Sequence, residues 1–439
     1  MSRHVAVVGA GMVGLSTAWH LQQHGMKVTV LDRSHVAAGS SWGNAGWLTP
    51  ALTAPLPEPA VLGYGIKAVL SPASPVYVPL RPDPRLLRFL GGFTRHSTAR
   101  RWGVGMRAYV PLNARALDAF DELSDATGRA DGVIDGVPTG AVTFPADPFL
   151  ACFRTPEERA PLVAELDHID AAGQEVKYDV LTGDEARALA PALSGQVGAA
   201  VQLHGQRYLH PPAFLQALAS AVQARGGRIV EAATVTAVEP GPDGVSVTAR
   251  VDDALDTPDR TTSEVRARFD AVVLANGAWL GSLARRVGVR SVVQAGRGYS
   301  FSVSSAQVPA GPVYFPRQRV ACTPLATVHG PRLRVAGMME FRAPDAAFDH
   351  RRITAIVDSV RPLLTGVDLD DRHDEWVGSR PCTADGLPLI GATAAPGVFV
   401  AGGHGMWGMA LGPVTGKLLA ERIATGRNPA ELVPFDPLR

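Results

Sequence analysis

His4-Val-Ala-Val-Val-Gly-Ala-Gly-Met-Val-Gly14, running on to Lys27-Val-Thr-Val-Leu-Asp32, decides the fold. Val5 to Val8 is a short apolar run with the composition of a buried parallel strand. Gly9, Gly11 and Gly14 then fall at the G-x-G-x-x-G spacing. The first permits a tight turn, the second lets the backbone approach a pyrophosphate, and the third lets the next helix pack close to the strand. From Met12 to His24 the apolar positions recur at helical spacing, and Gly25 supplies a stop. Lys27 to Leu31 reads as a second buried strand ending in Asp32. A carboxylate there would take the ribose hydroxyls while the helix N-terminus holds the phosphates. The acid stands about 20 residues beyond the glycines, which completes a dinucleotide-binding unit. A glycine turn without a ligand would leave Asp32 unexplained.

Composition sets the outer limits. A chain of 439 residues is long enough for two or more domains with cores of their own. Its 42 basic and 41 acidic residues nearly balance, so nothing points to nucleic acid as a partner. Cys152, Cys322 and Cys382 are far apart and form no C-x-x-C pair. That pattern argues against a disulfide framework or a zinc site, so no metal is expected, and it fits a reducing cytoplasm. The N-terminus enters a strand at once, so no signal peptide is expected ahead of the fold. No run of 18 apolar residues occurs, so no membrane span is expected.

The stretch Val36 to Pro50 is small, polar and glycine-rich with two tryptophans, Trp42 and Trp47. Placed after the second strand, it would bring Ser40, Ser41 and Asn44 beside a cofactor ring; as a plain surface loop it would not. Residues 51–85 are proline-rich, with an amphipathic turn over Val61 to Leu70. That segment reads as a substrate lid, as a weak membrane-contacting patch, or as a covering packed on the body of the protein. Helices are expected over Leu112 to Thr127, Pro156 to Ala172, Asp184 to Pro191 and Pro212 to Arg225. Gly140 to Cys152 and Val197 to Leu203 read as strands. Arg228 to Val230, Thr234 to Val238, Val245 to Val251 and Arg266 to Phe269 suggest a small sheet on the nucleotide domain. Ala271-Val-Val-Leu-Ala-Asn-Gly-Ala-Trp279 is again a buried strand entering a glycine turn, a second approach to ligand at the carboxyl end of a parallel sheet. Ser300 to Val303, Val320 to Cys322 and Leu333 to Ala336 suggest an antiparallel second domain, with Ile353 to Leu364 a helix packed on it. Near the C-terminus, Val398 to Ala401 leads into Gly402-Gly-His-Gly-Met-Trp-Gly408 and a helix from about Gly412 to Ile423. A glycine-rich loop opening a helix aims backbone N–H groups and a positive dipole end at whatever lies above it.

The fold class expected is α/β: a Rossmann-like domain of the glutathione-reductase type with a parallel sheet, interrupted by an α+β substrate domain with an antiparallel sheet. The nucleotide domain would take residues 1–50, 182–285 and 375–430, and the substrate domain 51–181 and 286–374 with connecting helices.

Taken in order, several pieces resemble the D-amino-acid dehydrogenase family, within the D-amino-acid oxidase and glycine oxidase superfamily of FAD enzymes. They are the N-terminal glycine motif with Leu31-Asp-Arg33, the loop Ser41-Trp-Gly-Asn-Ala-Gly46, Gly298-Tyr-Ser300, Arg334-Val-Ala-Gly-Met-Met-Glu340, Arg380-Pro-Cys-Thr-Ala-Asp-Gly386 and Gly403-His-Gly405. The resemblance implies FAD and oxidative deamination: the α-hydrogen leaves as hydride to flavin N5, the amine becomes an imine, and water converts it to a 2-oxo acid. It implies that Gly9, Gly11, Met12, Val13, Gly14, Asp32 and Arg33 hold the ADP half, with Val235 at the adenine side. Ser40, Ser41, Asn44, Ala45 and Gly46 would lie along the isoalloxazine. Ala275, Asn276, Gly277 and Trp279, with Arg380, Gly403, His404, Gly405 and Met406, would complete the cofactor site.

A substrate carboxylate needs a fixed cation, best an arginine fork. Arg380 is the first candidate, ahead of Arg297, Arg334 and Arg342, and Tyr299 and Tyr314 would offer hydroxyls to the same group. His404 would lie near flavin and substrate, or else be hydrogen-bonded within its own loop. Two positions depart from the family: Cys322-Thr-Pro-Leu stands where relatives carry an arginine, and Arg297 replaces a lysine. Cys382 does not fall where relatives of the sarcosine oxidase type attach flavin, so non-covalent FAD is expected. Residues 285–375 contain no lysine, which removes the oxygen-activating device of some oxidases. This favours a dehydrogenase passing electrons to a quinone or other electron acceptor, with reversible contact at the inner face of the cell membrane through residues 56–80. The alternatives are an oxidase of glycine, sarcosine or a cyclic imino acid that makes peroxide, and a flavin subunit of a hetero-oligomeric imino-acid dehydrogenase. NAD as tight cofactor is disfavoured because no second glycine fingerprint is present.

Overall fold

The computed structural model describes residues 2–59, 71, 73–79, 83–126, 133–134, 137–138, 140–252, 262–305, 308–327 and 330–439. The amphipathic turn at Val61 to Leu70, and much of the 56–80 stretch, lie outside these residues.

A six-stranded sheet runs in the order Arg228–Val230, Lys27–Leu31, His4–Val8, Ala271–Leu274, Val398–Gly402 and Leu389–Ala392. All neighbours are parallel except the last pair. Alternation along these strands splits the burial between two faces. Val5, Val7, Ala271 and Val273 meet the helices Met12–Gln23, Ala99–Ala126, Pro211–Ala224 and Gly408–Thr425. Ala6, Val8, Val272 and Leu274 meet a three-stranded antiparallel sheet of Ala233–Gly241, Gly244–Asp252 and Thr262–Phe269. Helices on one face and a small sheet on the other make three layers.

The second body is a nine-stranded, mainly antiparallel sheet with Val367–Thr383, Val293–Ser305, Gly330–Phe341 and Val320–Thr327 on one side and Val313–Phe315, Phe149–Phe153, Ala199–Leu203 and Tyr178–Thr182 on the other, and with Val76–Tyr77 paired parallel to Gly330–Phe341. Its far face is covered by the helix His350–Val360, through Ile353, Ile356, Val357 and Val360. The mixed α/β class with a parallel sheet and separate antiparallel sheets is as expected.

Several boundaries differ from those read in the sequence. Ala199–Leu203 pairs with Phe149–Phe153 in the large sheet, although the sequence reading puts residues 182–285 in the nucleotide domain. The strand Val367–Thr383 carries the large sheet past residue 375. The helix expected from Leu112 begins at Ala99 and passes through Pro111 without a break. It packs Met106, Tyr109, Leu112, Ala116 and Phe120 into the core beside the six-stranded sheet, not against the nine-stranded one. Pro84–His96 is a helix outside the sequence expectation. Asp83 accepts the N–H groups of Arg85 and Leu86, Pro84 sits at the first turn, and Leu86, Phe89 and Phe93 form the buried stripe.

Candidate active site

The carboxyl ends of the parallel strands open into one long cleft. Its lining includes Gly9, Gly11, Met12, Val13, Asp32, Arg33, Ser40, Ser41, Asn44, Val235, Ala275, Asn276, Gly277, Trp279, Arg380, His404, Gly405 and Met406. Sequence reasoning missed Leu31, Ser34, Ala38, Gly39, Thr234, Leu283, Pro381, Gly402 and Met409, which also line it. Most of these adjoin residues that the motifs single out, so proximity in the chain was the available signal. Gly14, Ala45, Gly46, Gly403, Tyr299 and Tyr314 were expected in the site and do not line the cleft.

At one end the glycines act through closeness. A Cβ on Gly9, whose φ is +113°, would sit 2.5 Å from the Ala275 carbonyl oxygen, and one on Gly14 would sit 1.9 Å from the Gly9 oxygen. Gly14 therefore acts from behind the lining by letting the helix lie against the turn. Gly11 begins the helix Met12–Gln23 with no side-chain cap of its own and no acid in the first turn; Met12 N–H donates to Ser41 Oγ at 3.3 Å, and this positive end of the helix lies at the cleft. The Asp32 carboxylate accepts from Ala10 N–H at 2.7 Å and Ser34 N–H at 2.9 Å. Burial raises its pKa, opposed by these two backbone bonds. Arg33 stacks 3.9 Å over the Trp279 ring and pairs with Asp345 at 2.7 Å, while Trp279 Nε1 donates to Asp345 at 2.9 Å. This contact ties the rim of the cleft to the segment following strand Gly330–Phe341.

Further along, the loop 40–46 is stitched to the large sheet. Ser40 donates to the Ser379 carbonyl at 2.8 Å. In return, the carbonyls of Trp42, Gly43 and Ala45 accept from Arg334 at 3.1 Å, Ser300 at 2.8 Å and Thr323 at 2.8 Å. Trp47 Nε1 donates to Thr323, and Tyr314 packs edge-on against Trp47. The Trp376 ring fills the space a side chain on Gly43 would need, its nearest atom 2.2 Å from that Cβ. A loop that composition alone leaves open as surface is thus fixed by side chains from four strands.

The arginine candidates separate on their partners. Arg297 is fully buried against Glu340 at 3.5 Å, and Arg342 approaches the same carboxylate at 2.9 Å. Tyr299 donates to Glu340 at 2.7 Å and packs on Phe348, on the face away from the cleft. Burial, followed by that hydrogen bond, pushes its phenol well above the usual range. Arg334 is engaged with Trp42 through the carbonyl and 5.3 Å from the ring. Arg380 lines the cleft, gives one donor to the Met338 carbonyl at 2.7 Å, and forms no ion pair with any described residue. Its guanidinium lies where Gly298 lacks a side chain: a Cβ there would be 2.3 Å from it.

His404 lies beside Arg380 in the fold, its backbone bridged to Cys382, and Gly405 N–H donates to the Pro381 carbonyl at 2.8 Å. The ring nitrogen Nε2 bonds Thr415 Oγ1 at 3.0 Å. Burial lowers its pKa to about 3, so the imidazole is neutral. It pins the loop to the following helix instead of presenting a base. A Cβ on Gly405, whose φ is +57°, would meet nothing within 4 Å, so this position stays open to the cleft. The helix Gly408–Thr425 likewise begins with no side-chain cap and no acid in its first turn. All three cysteines are buried free thiols. Among the described residues no cluster of ligands could hold a metal ion.

Two helix N-termini at the cleft with no acid in their first turns, an acid beyond the first glycine turn, and glycines where side chains would fill the cradle fit an extended dinucleotide with a ring system. The description "FAD dependent oxidoreductase" (DAO) matches residues 4–422. The chain belongs to this DAO family. DAO proteins use FAD, and the cleft's residues suit it. Solved structures share the fold over nearly the whole chain. Glycine oxidase from Geobacillus kaustophilus superposes with a TM-score of 0.72 at 22% identity, covering 100% of this chain and 99% of that one. Iminodiacetate oxidase (IdaA) from Chelativorans sp. BNC1 does so with 0.68 at 18%, covering 99% and 98%. L-proline dehydrogenase from P. horikoshii gives 0.65 at 16%, covering 100% and 97%.

Proposed function

We propose that this FAD-dependent oxidoreductase is a D-amino-acid dehydrogenase, oxidising the C–N bond of a small amino or imino acid and passing electrons to a quinone-type acceptor. The observation that carries the substrate class is Arg380, an arginine at the cleft with donors to spare and no carboxylate partner among the described residues. A planar fork of this kind suits a carboxylate, and one held in a desolvated site discriminates strongly against ligands lacking it. Burial lowers the Arg380 pKa, which a bound carboxylate would offset.

FAD, when bound, accepts the α-hydrogen with its electron pair. The chain's part is to orient and to exclude. Arg380 would hold the carboxylate so that the α-carbon faces the cofactor. The N-terminus of Gly408–Thr425 would favour negative charge on the ring edge beside Gly405. Of the titratable residues lining the cleft, Asp32 accepts two backbone N–H bonds, Arg33 and Arg380 are cations that offer no base, and His404 is neutral and bonded to Thr415. The ammonium proton therefore goes to water, and the substrate reacts as the neutral amine. Hydride loss would leave an iminium that sheds one N–H proton as the imine, and water converts this to the 2-oxo acid, releasing ammonia where the substrate is a primary amine.

Cys382 does not line the cleft and is buried against Leu86, Phe89 and Phe93, its thiol pushed up to about 12, chiefly by burial. That supports FAD held without a covalent link. The absence of lysine from residues 285–375 supports a dehydrogenase over an oxidase. The deciding experiment is anaerobic bleaching of the flavin by D-amino acids, L-proline, glycine and sarcosine, followed by admission of air. Bleaching by D-amino acids with slow reoxidation and little peroxide supports the proposal. Rapid peroxide formation makes the protein an oxidase, and bleaching by glycine or imino acids alone moves the substrate class.

A further inference from the structure

From Pro84 to Leu117 the chain has no aspartate or glutamate, in a protein whose charges otherwise balance. Over the same stretch it carries Arg85, Arg88, Arg95, Arg100, Arg101 and Arg107, and none of these forms an ion pair with a described residue. Arg115, further along, is paired with Glu431. The helix Pro84–His96 buries Leu86, Phe89 and Phe93 and turns Arg85, Leu87, Arg88 and Arg95 outward. The first half of Ala99–Ala126 turns out Arg100, Val104 and Arg107. Leu87 is 62% exposed and Val104 56%, so large apolar side chains stand among the cations. Arg101 donates to the Arg95 carbonyl at 2.9 Å and ties the two helices into one face.

Asp83, just ahead of the first helix, is used in capping its backbone and pairs with none of these arginines; like charges gathered without ion-pair partners repel one another and favour an external anion. We propose that this face docks the protein on an anionic lipid surface. Arginines interspersed with exposed aliphatics suit a headgroup layer, where guanidinium groups meet phosphates and the apolar side chains enter the boundary. Leu86, Phe89 and Phe93 are already packed on the protein, so the contact is largely electrostatic. No described helix is long and apolar enough to cross a membrane. Placement adds an argument. The buried side of Pro84–His96 packs against Cys382, Ala384 and Met406, the residues behind the Arg380 and Gly405 end of the cleft. A bilayer on the arginine face would thus lie near the redox end of the molecule, which carries the quinone reading above further and rests on it for the acceptor alone.

The test is co-sedimentation of the FAD-loaded enzyme with vesicles of phosphatidylcholine alone and with phosphatidylglycerol added. Binding is expected only to the anionic vesicles and is lost at high salt. Each neutralised arginine should cost about fivefold in partitioning, so Arg88→Gln with Arg95→Gln lowers it about 25-fold. Flavin absorbance and D-amino-acid oxidation with a soluble dye are unchanged in that variant. Equal binding to both vesicle types, no binding to either, or an unaffected double variant overturns the proposal. So does retention of the face by an acidic protein or a DNA duplex but not by vesicles. Reduction of a lipid-dissolved quinone is scored separately: vesicle binding without it leaves the surface standing and removes the acceptor.

Discussion

Arg380 and Gly298 form a pair at the scale of single residues. The guanidinium occupies the space left by the missing side chain, and its charge has no partner among the described residues. Arg380→Met is expected to raise the substrate dissociation constant in anaerobic flavin reduction by about 10²- to 10³-fold, the range for truncating one member of a buried charge pair. Flavin content should be unaltered. Gly298→Ala acts on the same contact indirectly, because a flexible guanidinium can move aside where backbone could not. Its KM should rise about tenfold with the melting temperature nearly unchanged; a large loss of stability instead would show that Gly298 serves packing. His404, neutral and held by Thr415, should leave no inflection in the pH profile. The kcat/KM is expected to climb with pH up to the pKa of the free substrate's amine, and to shift with that pKa when substrates are exchanged.

At the scale of elements, the glycine turn and the loop 40–46 owe their form to different causes. The turn needs only its own strand and helix. Gly14→Ala would drive a methyl group into the Gly9 carbonyl oxygen, 1.9 Å away, and backbone on both sides cannot yield cheaply. Overpacking of this kind costs roughly 1–3 kcal/mol. The variant should purify with little flavin, read as the ratio of absorbance near 450 nm to that of protein, with a lowered melting temperature. The turn was legible because its parts are local. The loop was not, since its carbonyls are held by Ser300, Thr323 and Arg334, hundreds of residues away. Tyr299 shows a further limit. Alternation assigns it a face, but the irregularity in pairing between Arg297 and Tyr299 and the helix His350–Val360 decide that this face looks away from the cleft.

Across the whole molecule, burial leaves His20 and His404 with pKa values of about 3 and His210 with about 4. Each is near 6.5 when unfolded. Below that value the unfolded chain binds the extra proton and the folded chain does not, so acid favours unfolding. Stability is complete above about pH 6.5 and declines as pH falls toward 4, by about 1.4 kcal/mol per pH unit for each histidine. Melting temperatures taken from pH 7 to 4 should fall steeply, and His404→Gln should flatten the decline. An equal slope in that variant would show that His404 is not held neutral.

The dinucleotide unit was determined by sequence alone, because strand, turn, helix and acid lie within about 30 residues and their geometry follows from local rules. The fold class followed from it, together with the second strand and glycine turn at Ala271 to Trp279 and the C-terminal glycine loop. Tertiary structure alone decided which candidate side chains remain available. Arg297 and Arg342 are spent on Glu340, Arg334 is held against the Trp42 carbonyl and ring away from the cleft lining, and Tyr299 is turned to the far face. Arg380 is left beside the cleft. A charge is free or neutralised according to what the rest of the chain brings beside it, and that is set by packing between segments far apart in sequence.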